Sequence, residues 1–208
     1  MDFNSFLTHI SGLTNVPLGG MDSQFKMAPA IRKNFDLKSI IKPNAKSAAT
    51  LALFYPNKKN ETCFLLTQRA IYDGTHSAQI SFPGGKTEKN DLNLEFTALR
   101  ETFEETAVEM NDISIYRELT KTYIPPSNFW VTPFMGTIEY RPNFTANNEV
   151  SAFIEVQLKD ILDDSSIIIK NMTTSYMKNV DVPCFKLNDY IVWGATAMIL
   201  SEIKDLLK

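Results

Sequence analysis

Two apolar runs constrain the fold of this chain most: AATLALFY (residues 48–55) and CFLLTQR (residues 63–69), divided by the polar stretch PNKKNE. Runs of this length around a short polar turn read as a β-hairpin. QISF adds a third short strand that stops at Pro83-Gly84-Gly85. Further on, ISIYREL, FWVTPFMGTIEY, SAFIEVQL and SIIIK read as strands, and VPCFKLNDYIVW as a second hairpin. A closing helix is expected from about Gly194, with Ala195, Ile199, Ile203 and Leu206 as its apolar stripe. The physical reading is a mixed sheet with helices packed on it, of class α/β or α+β.

Residues 1–45 read as an appendage. A short helix with Phe3, Phe6, Leu7 and Ile10 on one face leads into NVPLGGMDSQFKMAPAIR, whose Pro and Gly residues forbid long regular structure. The chain has 208 residues, enough for one domain with a real core. A net charge of −3 argues against a broad nucleic-acid or membrane-surface footprint. Cys63 and Cys184 sit among apolar neighbours and read as buried free thiols. The N-terminus lacks the basic and apolar regions of a signal peptide, and no window approaches the roughly 20 apolar residues that span a bilayer. A cytoplasmic protein is expected.

The chemistry concentrates in SFPGGKTEKNDLNLEFTALRETFEET, residues 81–106. A helix is expected from a cap at Asn90 or Asp91 to about Val108. At 100° per residue, Glu101, Glu104 and Glu105 share one side, while Leu99, Phe103, Thr106 and Met110 form the expected core stripe. Like charges at i,i+4 cost only about 0.2–0.5 kcal/mol when exposed, so a solvated acidic face eased by Arg100 is the bland alternative. Carboxylates are also the ligands that Mg²⁺ or Mn²⁺ prefers beside a phosphate. The glycine pair lets backbone approach such a site without a Cβ in the way. GGKT is not a P-loop, because the first glycine of that motif falls on Ile80.

Residues 85–108 resemble the Nudix box, G-x5-E-x7-R-E-U-x-E-E-x-G-U, where U is bulky and apolar. Arg100-Glu101, Glu104-Glu105 and Val108 match in order and spacing. Asp91 takes the first acidic position, eight residues rather than seven separate it from Arg100, Thr102 is less apolar than usual, and Ala107 replaces the last glycine. Upstream, LLTQRAIYDGTHSAQISFPGG is similar to the segment that precedes the box in Nudix enzymes acting on coenzyme A. Leu65, Leu66, Thr67, Arg69, Ala70, Phe82, Pro83, Gly84 and Gly85 carry that likeness. Gly74 stands where a second Arg belongs and Ala78 where a Gly belongs, which leaves the substrate open. YIPPSNFWVTPFMG and VWGATA resemble the same branch.

The resemblance implies a Nudix fold over residues 46–208: an α/β/α sandwich with a mixed β-sheet and a catalytic loop-helix. It implies metal-dependent hydrolysis of a pyrophosphate bond in coenzyme A or acyl-CoA, giving 3′,5′-ADP and 4′-phosphopantetheine or its acyl form. Mg²⁺ or Mn²⁺ would be held by Glu101, Glu104 and Glu105, with the Gly85 carbonyl and Glu149 as further ligands. Arg100 would fix the glutamates, and Glu104 would be the general base, a role also open to Glu149. Arg69, Phe82 and Gly84 would meet the substrate, the alternative for Arg69 being a structural ion pair. His9, His76, Trp130 and Trp193 are assigned no chemistry, and two histidines with two distant cysteines do not suggest zinc. Two other readings stand: a Nudix enzyme for ADP-ribose, a dinucleotide or a nucleoside triphosphate, and a Nudix-fold binding protein without catalysis. The implied partner is a nucleotide-like small molecule. For the appendage three roles are open: packing on the core, covering the site, or joining two copies as a homodimer.

Overall fold

The computed structural model describes residues 1–33, 41–70, 79–174 and 177–208. Among the described residues three short helices come first: α1 (Phe3–Ser11), α2 (Gly20–Phe25) and α3 (Ala30–Lys33). The strands β1 (Lys46–Pro56), β2 (Thr62–Arg69), β3 (Ile80–Ser81) and β4 (Gly84–Lys86) lead to helix α4 (Leu94–Thr106). Then follow β5 (Ser114–Glu118), β6 (Thr122–Ile124), β7 (Phe129–Thr137), β8 (Val150–Gln157) and the short α5 (Leu158–Leu162). The chain ends with β9 (Ile167–Thr174), β10 (Met177–Leu187), β11 (Tyr190–Val192) and α6 (Gly194–Leu207).

The first hairpin forms as expected, with Phe54 opposite Phe64 and Tyr55 opposite Cys63. β1 also runs parallel to β7, from Lys46 beside Phe129 to Phe54 beside Thr137. Its N-terminal third pairs antiparallel with β4, its C-terminal third with β2. Among the described residues this makes one mixed sheet in which β3, β2, β1, β7 and β5 lie side by side, with β8 on β2 and β6 on β7. β11, β10 and β9 make a separate antiparallel sheet. Among the elements missed in the sequence are β4, whose glycines resemble a turn, β6, ahead of a Pro-Pro pair, and the short α5.

Strand alternation divides the core into two layers. Ala49, Leu51, Leu53 and Tyr55 of β1 turn to α4 and pack with Ala98 and Val108. Ala52 and Phe54 turn the other way, to α1 and α6, among Phe6, Met198 and Ile203. That is an α/β/α sandwich. The appendage joins the second layer through Phe3, Phe6, Ile10 and Met27. The fully buried Glu202 of α6 fastens it further, accepting from the Gly20 amide, the Gln24 side chain and the Thr120 amide. Cys63 and Cys184 are buried free thiols. Among the described residues no helix is long and apolar enough to cross a membrane.

Candidate metal and diphosphate site

Helix α4 starts later than expected. Its N-cap is Asn93, whose Oδ1 accepts from the Phe96 amide at 2.7 Å. Asp91 is therefore free for another task. Its side chain, 1% exposed, accepts from Arg100 Nε at 2.8 Å and Nη2 at 2.9 Å. The Thr97 hydroxyl and the Glu88 amide donate to it as well. These donors, Arg100 foremost, hold the Asp91 carboxyl far below the usual carboxylate range. Arg100 Nη1 then reaches Glu101 at 3.0 Å and both Glu104 oxygens at 3.2 Å, while Nη2 donates to the Lys86 carbonyl. The sequence placed Asp91 in the motif but gave no hint of this anchor, because the capping candidates in KNDLN could not be ranked.

The core stripe expected of α4 is corrected in part: Thr106 is buried and Leu99 packs half-buried on the core as expected, but Phe103 does not. Phe103 is 40% exposed, and the buried residues are Thr97, Ala98, Thr102, Glu105 and Thr106. The helix therefore turns the Glu101–Glu105 side toward β4 and β1. Small Ala and Thr side chains let it lie close there. Glu101 lies directly on Gly85, where an added Cβ would sit 2.4 Å from its carboxyl carbon. Gly84 is equally confined: its φ is +151°, and a Cβ would come 2.4 Å from the Ala49 carbonyl oxygen.

Glu105 is 4% exposed, and its Oε2 has no hydrogen-bond partner. Burial pushes its carboxyl up to about 7, and Glu101 and Glu149 push the same way. Arg69 and the Gly84 amide pull it down. Glu101 is also raised, mainly by burial, with Arg100 opposing. Glu149 lies 3.6 Å from Arg69 and is felt by both glutamates. Arg69, Glu101, Glu105, Glu149 and the glycine pair thus gather at one place. Glu104 stands at its margin, half exposed and held by Arg100.

Two expected substrate contacts, Phe82 and Gly84, do not fit. Phe82 is 2% exposed and packs in the core against Phe64, so its ring offers no face to a substrate. The Gly85 carbonyl, expected as a ligand, faces β1 in the ladder, and its second lone pair is left for a cation. Hydrogen bonds from Leu51 to Pro83 and from Thr87 to Ser47 fix the ladder alternation, which turns the Gly85 N–H and C=O to Ala49. Gly84, expected at the substrate, is buried, and its amide helps to lower the Glu105 carboxyl. Gly74, His76 and Ala78 lie outside the described residues. Trp130 packs on Tyr123 beneath Lys121, and Trp193 on the smaller core of the second sheet.

Among the described residues no three acidic, histidine or cysteine side chains converge into a closed metal cage. The residues nevertheless fit a divalent cation. A buried carboxylate with an unpartnered oxygen costs free energy that a cation would offset, and a second carboxylate lies one helical turn away.

A family model described as the NUDIX domain matches residues 45–174. An uncharacterized Nudix hydrolase, NudL of Yersinia pestis (strain Pestoides F), is 31% identical over 144 residues, 69% of this chain and 71% of its own length. The Nudix hydrolase RenU of M. smegmatis has a similar structure, with a TM-score of 0.53, 13% identity, and 77% and 84% of the two chains covered. A MutT/nudix family protein from Enterococcus faecalis has a TM-score of 0.52 at 16% identity, over 87% of this chain and 71% of its own. These two share the fold.

Proposed function

The chain belongs to the NUDIX family, whose enzymes hydrolyse the pyrophosphate bond of nucleoside diphosphate derivatives, and we propose that its substrate is coenzyme A or an acyl-CoA. A water oxygen bonds to one phosphorus, the P–O–P bridge breaks, and 3′,5′-ADP and 4′-phosphopantetheine, or its acyl form, are released in the cytoplasm. The observation that carries the hydrolytic reading is the unpartnered Oε2 of buried Glu105, one turn from Glu101 and beside the glycine pair. The choice of coenzyme A rests on the likeness of residues 65–85 to that branch of the family.

Mg²⁺ or Mn²⁺ held by Glu101 and Glu105, with Glu104 and Glu149 close by, would neutralise the diphosphate and acidify the attacking water. Arg100, anchored on Asp91, keeps Glu101 and Glu104 in place. Glu104 is the most exposed of the three helix carboxylates and accepts the proton from water. Among the described residues the Arg69 guanidinium lies 3.6 Å from Glu149 and within the field of Glu105, and from there it would turn to an incoming phosphate.

The test is turnover of coenzyme A, acyl-CoA, ADP-ribose, a dinucleotide and a nucleoside triphosphate with Mg²⁺ or Mn²⁺, read by product mass. The expected result is 3′,5′-ADP from coenzyme A at the highest kcat/KM. Preference for another substrate removes the coenzyme A assignment and leaves the family reaction. No turnover of any of them favours a binding protein.

A further inference from the structure

β9 has the sequence IIIKNMTT and lies at the end of its sheet, paired only with β10 among the described residues. On its other side no strand among the described residues pairs with it, the condition under which an edge can take a further strand. Such edges are commonly protected by shortness, proline or several charges. This one is eight residues long, has no proline and carries a single charge, Lys170. Its outer side chains Ile167 and Ile169 are exposed, Ile169 by 64%. They continue the face on which Phe185 and Leu187 of β10 are buried, so an apolar surface runs off the edge into solvent.

We propose that β9 is a dimerisation edge, at which two copies of this chain pair their β9 strands antiparallel about a twofold axis. The two three-stranded sheets then become one sheet of six strands. The pattern of the strand selects a second copy as occupant and also selects the register. Centring the axis on Lys170 would set the lysine against itself, which is unfavourable. Centring it on Ile168 sets Ile167 of each copy opposite Ile169 of the other. That register covers four exposed isoleucines at once and is the isologous contact a twofold axis requires. It also brings Lys170 opposite Ser166 of the second copy, beside the acidic pair Asp163-Asp164. The Asp164 side chain there is still mostly exposed, although Lys204 and Lys208 already pair with it. β9 contributes no residue to the carboxylate site, so the contact is independent of the hydrolytic reading.

Sedimentation velocity of the full chain from about 1 to 100 μM tests the proposal, a range suited to the modest area of one strand pair. The wild type is expected to dimerise, and Ile169→Lys to raise the dimer Kd at least tenfold while melting and hydrolysis stay unchanged. If Ile169→Lys melts early, Ile169→Thr keeps a β-branched side chain and is read in the same way. Oxidised Ile167→Cys/Ile169→Cys is expected to give a covalent dimer, because the selected register sets the two positions opposite each other. A wild type that remains monomeric throughout overturns the proposal. So does a dimer indifferent to both Ile169 substitutions, or one in which the cysteine pair fails to cross-link.

Discussion

Glu105 carries a cost that its surroundings do not remove. Its ordinary value near 4.5 rises to about 7 in the fold, so ionising it disfavours the metal-free folded state. A carboxyl raised in this way contributes stability below about pH 4.5 and loses that contribution as the pH rises through 7. At pH 8 without metal, Glu105→Gln should therefore be more stable than wild type by about 1–3 kcal/mol, measured by urea denaturation. The gain should shrink toward pH 4.5. Ala107 gives a second prediction at this scale. It closes α4 at φ +59°, where the family pattern has glycine and where a Cβ is strained. Ala107→Gly should raise stability by about 0.5–1 kcal/mol in the same assay, with activity retained.

At the scale of the element, α4 owes its place to a cap and an ion pair that the sequence left ambiguous. The residue types on the helix were legible, and so was the spacing of its glutamates. Which side faces inward was not. Counting apolar residues favoured Leu99 and Phe103, whereas close packing on β4 and β1 favours the smaller Ala98, Thr97 and Thr102. The Asp91–Arg100 pair sets the helix against the glycine strand. Asp91, held far below its ordinary value, contributes stability that is complete above about pH 4 and is lost only as the pH falls through its lowered value in the fold. Asp91→Asn should cost about 1–3 kcal/mol at pH 7, measured by urea denaturation, and the cost should begin to shrink only below about pH 4. Because Arg100 then loses its anchor, kcat should fall at least tenfold, and Asp91→Glu should restore part of it.

For the whole molecule, the long strands and the closing helix were readable because their apolar runs are continuous. The order of strands was not readable, since nothing local says that β1 lies between β7 and the β2–β4 side. The appendage is also more than a tail. Phe6 is fully buried against Phe54, and α2 is fastened to α6 through Glu202. Phe6→Ala should cost about 3–5 kcal/mol, seen as a lower Tm of the entire cooperative transition. Separate melting of residues 1–33 would instead mark them as an independent unit.

Manganese binding followed by electron paramagnetic resonance, in wild type and in folded Glu105→Gln, tests the carboxylate site itself without reference to any substrate. The wild type is expected to immobilise Mn²⁺ and the variant to bind it at least tenfold more weakly. Equal affinity in the two proteins would contradict Glu105 as a ligand.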